Sequence, residues 1–394
     1  MKKLSSITIL CFILLLASCK SEKKEAEVTQ TQIEETEQLT KPTETPDEEA
    51  KTGVGKNGEA TAINPAFIDE GGETVNMDNV VRAETAKYLA AETIISGPNK
   101  FRHERNGIDL DNQTVIRSNF DAIYSYAVYD VSGGLKISVP EYDLYQIVQV
   151  LDENSVTIGV VYPGETKSFS KDDLSYGDHV YLFMRTRPRT YDEKGMEDMR
   201  KRQDAVVVEA GSANPYTSEV KYDVTSFNTL RGELLKRAIT EGVIEEGFID
   251  DIKNIKTPQY QMINTAGWAG LPAKHAYYFV VLPGDEGAKN GEHSSVTFNK
   301  PDLQYDRAAY WSITIYNEQG WVVTNPFNTN STKAKPNADG SITLNFNGGD
   351  DAINNIKVPK NWNALFRCYL PSSVPSIVEY RKDFVKNHKV LTVK

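Results

Sequence analysis

The sequence predicts a mainly β protein: two β-sandwich or jelly-roll-like domains joined by a helical segment. Three observations carry this reading. Short stretches of β-branched and aromatic residues alternate with polar ones and are bounded by turn residues, as in Leu135-Lys136-Ile137-Ser138-Val139. The 394 residues include 20 Tyr, 26 Gly and 17 Pro, a mixture that favours strands and turns over long helices. Helical spacing is confined to a few segments, the clearest of them between the two strand-rich blocks.

The N-terminus reads as a secretory signal at residues 1–19. Lys2 and Lys3 precede an apolar run too short to span a bilayer, and Leu16-Ala17-Ser18-Cys19 resembles a bacterial lipobox. In that class Cys19 becomes the lipidated first residue of the mature chain, which implies a lipid anchor through Cys19. Lys20 follows it without the Asp that would retain the protein at the inner membrane, so the expected location is the outer membrane, on its periplasmic or its outer face. Residues 20–60 are rich in Glu, Thr, Lys and Pro and are expected to form a disordered acidic tether. Gly53-Val54-Gly55-Lys56-Asn57-Gly58 fits a dinucleotide-binding pattern. It lacks the preceding strand and following helix that pattern needs and reads as linker.

Residues 75–210 form the first β-rich block. A helix is expected over residues 78–96, capped by Asp78 and stopped by Gly97-Pro98. Strands follow at residues 114–117 and 123–129, a hairpin turn at Ser132-Gly133-Gly134, then strands at 135–139, 142–150, 156–162 and 178–187. Residues 192–203 are a candidate surface helix. Residues 211–258 read as a helical bridge, with Leu230, Leu234 and Ala238 spaced by four. The second β-rich block covers residues 259–380. Its clearest strand is 309–316, with others at 275–282, 341–346 and 362–370, and the tail from residue 376 reads as surface.

Composition narrows the chemistry. A net charge of -11 argues against a nucleic-acid partner. Cys368 would be the only thiol of the mature body, which precludes an intramolecular disulfide there. The five His are dispersed at 103, 179, 275, 293 and 388, so no metal site and no cofactor is expected. The best polar cluster is Arg117, Asn119, Asp121, Tyr124 and Tyr126, with His103 nearby in sequence. Arg117 has the fork of donors that holds a carboxylate. Asp121 is a candidate general base, or else the acceptor that neutralises Arg117 in a structural ion pair and Asx-turn. Trp268 and Trp321 are candidate ligand-stacking residues, with core packing as the alternative.

Residues 117–125, Arg-Ser-Asn-Phe-Asp-Ala-Ile-Tyr-Ser, resemble the signature of the bacterial envelope domain-of-unknown-function family numbered 1254, usually Arg-Pro-Asn-Arg-Asp-Thr-Leu-Tyr-Ser. Residues 309–316, Asn325-Pro326-Phe327-Asn328 and residues 337–342 resemble the family numbered 1214, which commonly follows it in tandem. The resemblance covers about residues 75 to 380. It implies secreted or envelope-attached proteins with two β-rich, jelly-roll-like domains and implies no established reaction. Phe120 and Ala122 stand where the first family usually has Arg and Thr. The chain also looks shorter than usual between Val160 and Phe169.

Three function classes follow. The first is a non-catalytic envelope lipoprotein binding a small-molecule, carbohydrate or protein ligand. The second is a hydrolase acting on an envelope or imported substrate, with a site at the domain cleft where Arg117, Asp121 and a His converge. The third is a structural or assembly protein, acting as a homo-oligomer.

Overall fold

A computed structural model of the protein describes residues 46–387, apart from 56–57, 108, 112 and 114–116, together with residues 391–393. The secretory signal, Cys19, the tether up to residue 45 and most of the strand expected at 114–117 lie outside the described residues. The elements run α1 (Pro46–Thr52), β1 (Phe67–Ile68), α2 (Val80–Ser96), β2 (Arg102–His103), β3 (Ile123–Asp130), β4 (Leu135–Ser138), β5 (Gln146–Leu151), β6 (Thr157–Val161), β7 (Thr166–Phe169), β8 (His179–Thr186), α3 (Glu193–Asp204), β9 (Val207–Ala210), β10 (Tyr222–Asp223), α4 (Val224–Glu241) and α5 (Gln259–Gly267). They continue as β11 (Ala276–Pro283), α6 (Glu286–Lys289), β12 (Ser294–Phe298), β13 (Tyr310–Tyr316), β14 (Asn328–Asn330), β15 (Ile342–Phe346), β16 (Asn355–Ile356), β17 (Asn363–Tyr369), α7 (Val374–Asn387) and β18 (Leu391–Val393).

Two five-stranded antiparallel sheets dominate. The first has the order β2-β3-β8-β5-β6 and the second β14-β13-β17-β11-β18. Alternation along the first sheet separates its two faces. Ala127, Tyr129, Val180, Leu182 and Met184 meet Leu135, Ile137 and Phe169 of the small sheet β7-β4-β9. Val128 and Tyr181, from the opposite face, meet α2, α4 and α5 through Val81, Phe227 and Met262. Along β5 and β6, Tyr145, Ile147, Val160 and Tyr162 join Trp311, Phe366 and Tyr369 in the core of the second sheet. The two sheets are thereby fastened by shared apolar burial, and the described residues form one compact unit.

The mainly β expectation is overturned. Helix and strand are nearly balanced at 27% and 26%, seven helices are dispersed among the described residues, and no sheet closes into a sandwich or barrel. The physical reason lies in what the helices bury. In α5, Gln261, Asn264 and Thr265 are as buried as Tyr260, Met262 and Ile263, so the helix has no polar stripe to announce it. In α2, Glu84 and Lys87 are completely buried, while Ile94 and Ile95 are exposed, which inverts the usual pattern. The terminal α7 turns Ile377 and Phe384 into the second core although its composition suggested a surface tail. The Ser132-Gly133-Gly134 turn leads β3 into a different sheet: β4 pairs with β7 and β9, not with β3.

The described part of residues 46–60 packs against the folded body. Here α1 is followed by a short bridge between Val54 and Ala60, and Asn228 clasps Ala60 by accepting from its N–H and donating to its carbonyl, at 3.0 and 2.9 Å. Lys87 Nζ donates to the Gly58 carbonyl at 2.5 Å and pairs with Glu84 at 2.8 Å, while Arg231 pairs with the same carboxylate at 3.3 Å. Burial lowers the Lys87 pKa to about 8.

The turn from β5 to β6 contains Glu153, whose Oε1 accepts from the backbone N–H of Asp178 and of His179 at 3.0 and 3.1 Å. Burial raises its pKa from 4.5 to about 7 against the pull of those bonds. The native state therefore holds a proton that the unfolded state releases, and this contribution is full below pH 4.5 and lost as pH rises through 7.

Two outcomes are expected. Ile147→Ala, at a completely buried position in the shared core, destabilises by about 2–5 kcal/mol and lowers one common urea midpoint read by near-UV and far-UV circular dichroism. Two separate transitions would contradict the shared core. Glu153→Gln gains stability relative to the parent between pH 5 and 8, by about 1–3 kcal/mol. Paired thermal melts across that range check the sign.

Candidate functional site

The segment entering β3 is held by the second sheet. Arg117 has a left-handed φ of 53°, its N–H donates to the Gly320 carbonyl at 2.8 Å, and its carbonyl accepts from Arg367 Nη2 at 2.8 Å. The Ser118 carbonyl accepts from the Tyr316 hydroxyl at 2.6 Å. Asn119 donates to the Tyr369 hydroxyl at 2.8 Å, and its Oδ1 accepts from the Asp121 N–H at 3.0 Å, closing an Asx-turn. That turn drives the Asp121 carboxylate inward, where the residue is completely buried.

Asp121 does not meet Arg117. Its Oδ1 accepts from Asn330 Nδ2 at 2.8 Å and from Asn328 Nδ2 at 3.4 Å, and its Oδ2 has no partner. The same Asn330 presents its Oδ1 to Arg187 Nη2 at 3.3 Å, so one amide bridges a buried carboxylate and a buried guanidinium. Arg187 Nη2 also donates to Thr332 Oγ1 at 2.7 Å, and the guanidinium lies 4.2 Å from the centre of the Tyr310 ring. Its Nε has no partner. Tyr310 stacks on Tyr369 at 4.3 Å with Tyr145 edge-on at 5.3 Å, and the hydroxyls of Tyr310 and Tyr145 are also buried without partners. Burial holds all three hydroxyls well above the ordinary phenol pKa, so they remain neutral.

Arg185, Arg187 and Arg367 are all buried at this seam, and among the described residues none forms an ion pair with a carboxylate. Arg185 is satisfied by Gln149 at 2.7 Å and the Ala269 carbonyl at 2.8 Å, and lies over Phe183 at 4.0 Å. Arg367 is satisfied by Thr314, Tyr316 and the Arg117 carbonyl. Arg187 has a buried donor, Nε, without a partner, and the residue lines a cavity of about 250 Å³ together with Asp143, Leu144, Lys300, Tyr305 and Thr332. Buried polar groups normally find partners, and here a carboxylate oxygen, a guanidinium donor and two hydroxyls are left over near one another.

The other residues singled out from sequence are placed elsewhere. Tyr126 stacks on Phe183 at 5.2 Å and lies beneath Arg102 at 4.6 Å, and Tyr124 meets Phe183 edge-on at 4.9 Å. The His103 ring meets Ser125 Oγ at 2.8 Å, and burial, then Arg105, lower its pKa to about 4. Trp268 stacks on Tyr88 at 4.4 Å and donates to Thr85, as part of the helical core. Trp321 is half-buried beside the turn made by Asn317. Cys368 is completely buried, and burial pushes its thiol pKa well up, as for an inert core residue. Among the described residues, no group of three or more His, Cys, Asp or Glu is placed to hold a metal ion. Arg187, Asn330, Thr332 and Tyr310 were not anticipated. The available signal was the alternation Arg185-Thr186-Arg187-Pro188-Arg189, since three arginines where a strand leaves the core need acceptors.

Comparison with known proteins identifies two family matches and one shared fold. Residues 98–174 match the family model described as Protein of unknown function (DUF1254), and residues 276–373 the one described as Protein of unknown function (DUF1214). No curated protein matches the chain. Among solved structures, the VPA0106 protein from Vibrio parahaemolyticus aligns with a TM-score of 0.56 at 13% identity, over 81% of this chain and 96% of that one. A putative uncharacterized protein from Burkholderia cenocepacia aligns with a TM-score of 0.40 at 12% identity, over 75% of this chain and 84% of that one. The first likeness shows a shared fold. Asp121 lies within the first matched domain, Asn328, Asn330 and Tyr310 within the second, in the expected order, and the chain carries a DUF1254 domain followed in tandem by a DUF1214 domain.

Proposed function

We propose that this is an envelope-tethered binding protein whose ligand occupies the seam between its two domains. The observation that carries the reading is Arg187, a buried guanidinium that lines a cavity of about 250 Å³ and, among the described residues, makes no ion pair with a carboxylate. The secretory pattern ending at Cys19 supports delivery to the envelope and a lipid anchor there, with the outer membrane as the proposed destination. Among the described residues, no helix is long and apolar enough to cross a membrane.

A hydrolase draws less support. Asp121 is completely buried and its neighbours are amides, and among the described residues no histidine is hydrogen-bonded to it. An assembly role draws little, because the exposed large apolar side chains, such as Ile63, Val207 and Ile353, belong to separate segments.

In a thermal-shift measurement on the full mature chain, a small-molecule extract of the host envelope is expected to raise the midpoint by a few degrees, as ligand at about 100-fold over its Kd would. Arg187→Met, which keeps the aliphatic packing, is expected to abolish the shift. An unchanged midpoint in every extract would remove the basis of the reading. Cys19→Ala is expected to move the protein from the membrane pellet to the soluble fraction and to end palmitate labelling; retention in the pellet would refute the anchor.

A further inference from the structure

We infer that the seam cavity takes a small organic carboxylate, its oxyanion on Arg187 and its apolar body against Leu144 and Tyr305; this rests on the binding reading above. The choice of anion comes from charge. The cavity is lined by two cations, Arg187 and Lys300, and its carboxylate, Asp143, is already paired with Arg189 at 2.6 Å. Arg187 spends Nη2 on Thr332 and Asn330 and, among the described residues, has no carboxylate partner. A guanidinium that lines a cavity and is not neutralised by a carboxylate matches a planar carboxylate ligand, which accepts charge-assisted hydrogen bonds.

The choice of an apolar body comes from the walls. Leu144, Ala308, Ala309 and the half-exposed ring of Tyr305 line the same space. The volume, about 250 Å³, equals that of roughly eight waters at about 30 Å³ each, which limits the occupant to a small molecule of about benzoate's size.

The test is calorimetric titration of the full mature chain with benzoate, with benzamide as its uncharged isostere, and with inorganic phosphate. Benzoate is expected to bind at least tenfold more tightly than either competitor. Arg187→Gln is expected to lose at least tenfold in benzoate affinity, and Lys300→Gln, at an exposed position that leaves the fold untouched, to lose a few-fold. Equal binding of benzamide, or tighter binding of phosphate, overturns the inference. Failure of benzoate to bind while envelope extracts still shift the wild-type melt, but not the Arg187→Met melt, also overturns it and leaves the seam-binding reading standing. Failure of both probes and extracts overturns both.

Discussion

The seam depends on the orientation of one side-chain amide. Asn330 is completely buried, and its two ends face opposite charges. Nδ2 donates to Asp121, whereas Oδ1 accepts from Arg187, from the Thr332 hydroxyl and from the N–H groups of Thr332 and Lys333. Reversing the amide would put a donor against a guanidinium and an acceptor against a carboxylate, so the network sets its direction. Because Asp121 precedes β3, Arg187 follows β8 and Asn330 ends β14, this one group ties the first sheet to the edge strand of the second. An asparagine does this without closing an ion pair. Asp121 and Arg187 each keep an unpartnered atom, which a direct carboxylate–guanidinium contact would have consumed.

The fold uses buried charge in two different ways. Under the helices, Glu84, Lys87 and Arg231 form a dense group in which the carboxylate touches both cations and the Gly58 carbonyl takes a further lysine proton. There the partners are internal and the segment that covers them is fixed. At the seam, Arg185 and Arg367 are satisfied by neutral carbonyl, amide and hydroxyl groups, and Arg187 is satisfied only in part. The first arrangement is a fastening. The second leaves part of its hydrogen-bonding capacity unused.

Sequence reading reached the strands better than the layers. β3, β8, β11, β13 and β17 lie close to the expected stretches, because central strands buried on both faces carry near-continuous β-branched and aromatic runs. The helical layer was hidden by its own burial: α5 and α2 bury amides and charges among their apolar residues, so neither displays the polar face by which a helix is recognised. The site was legible in part for a similar reason. The Asx-turn of Asn119 and Asp121 is local and could be read from neighbours. The partnership of Arg187 with Asn330 spans 143 residues and exists only once the two sheets have docked. Tandem occurrence of the two families was legible because their motifs are local.

The clasp on the N-terminal arm has a mechanical meaning. A force applied at Pro46 passes first through α1, then to the Ala60–Asn228 pair and to Lys87 holding Gly58. These contacts deliver the load to α2 and α4, on the helical side of the first sheet, while the second sheet and the cavity at Arg187 lie off the line of force. The lysine under the arm thus acts as a strain relief, directing load into the helical layer and away from the seam.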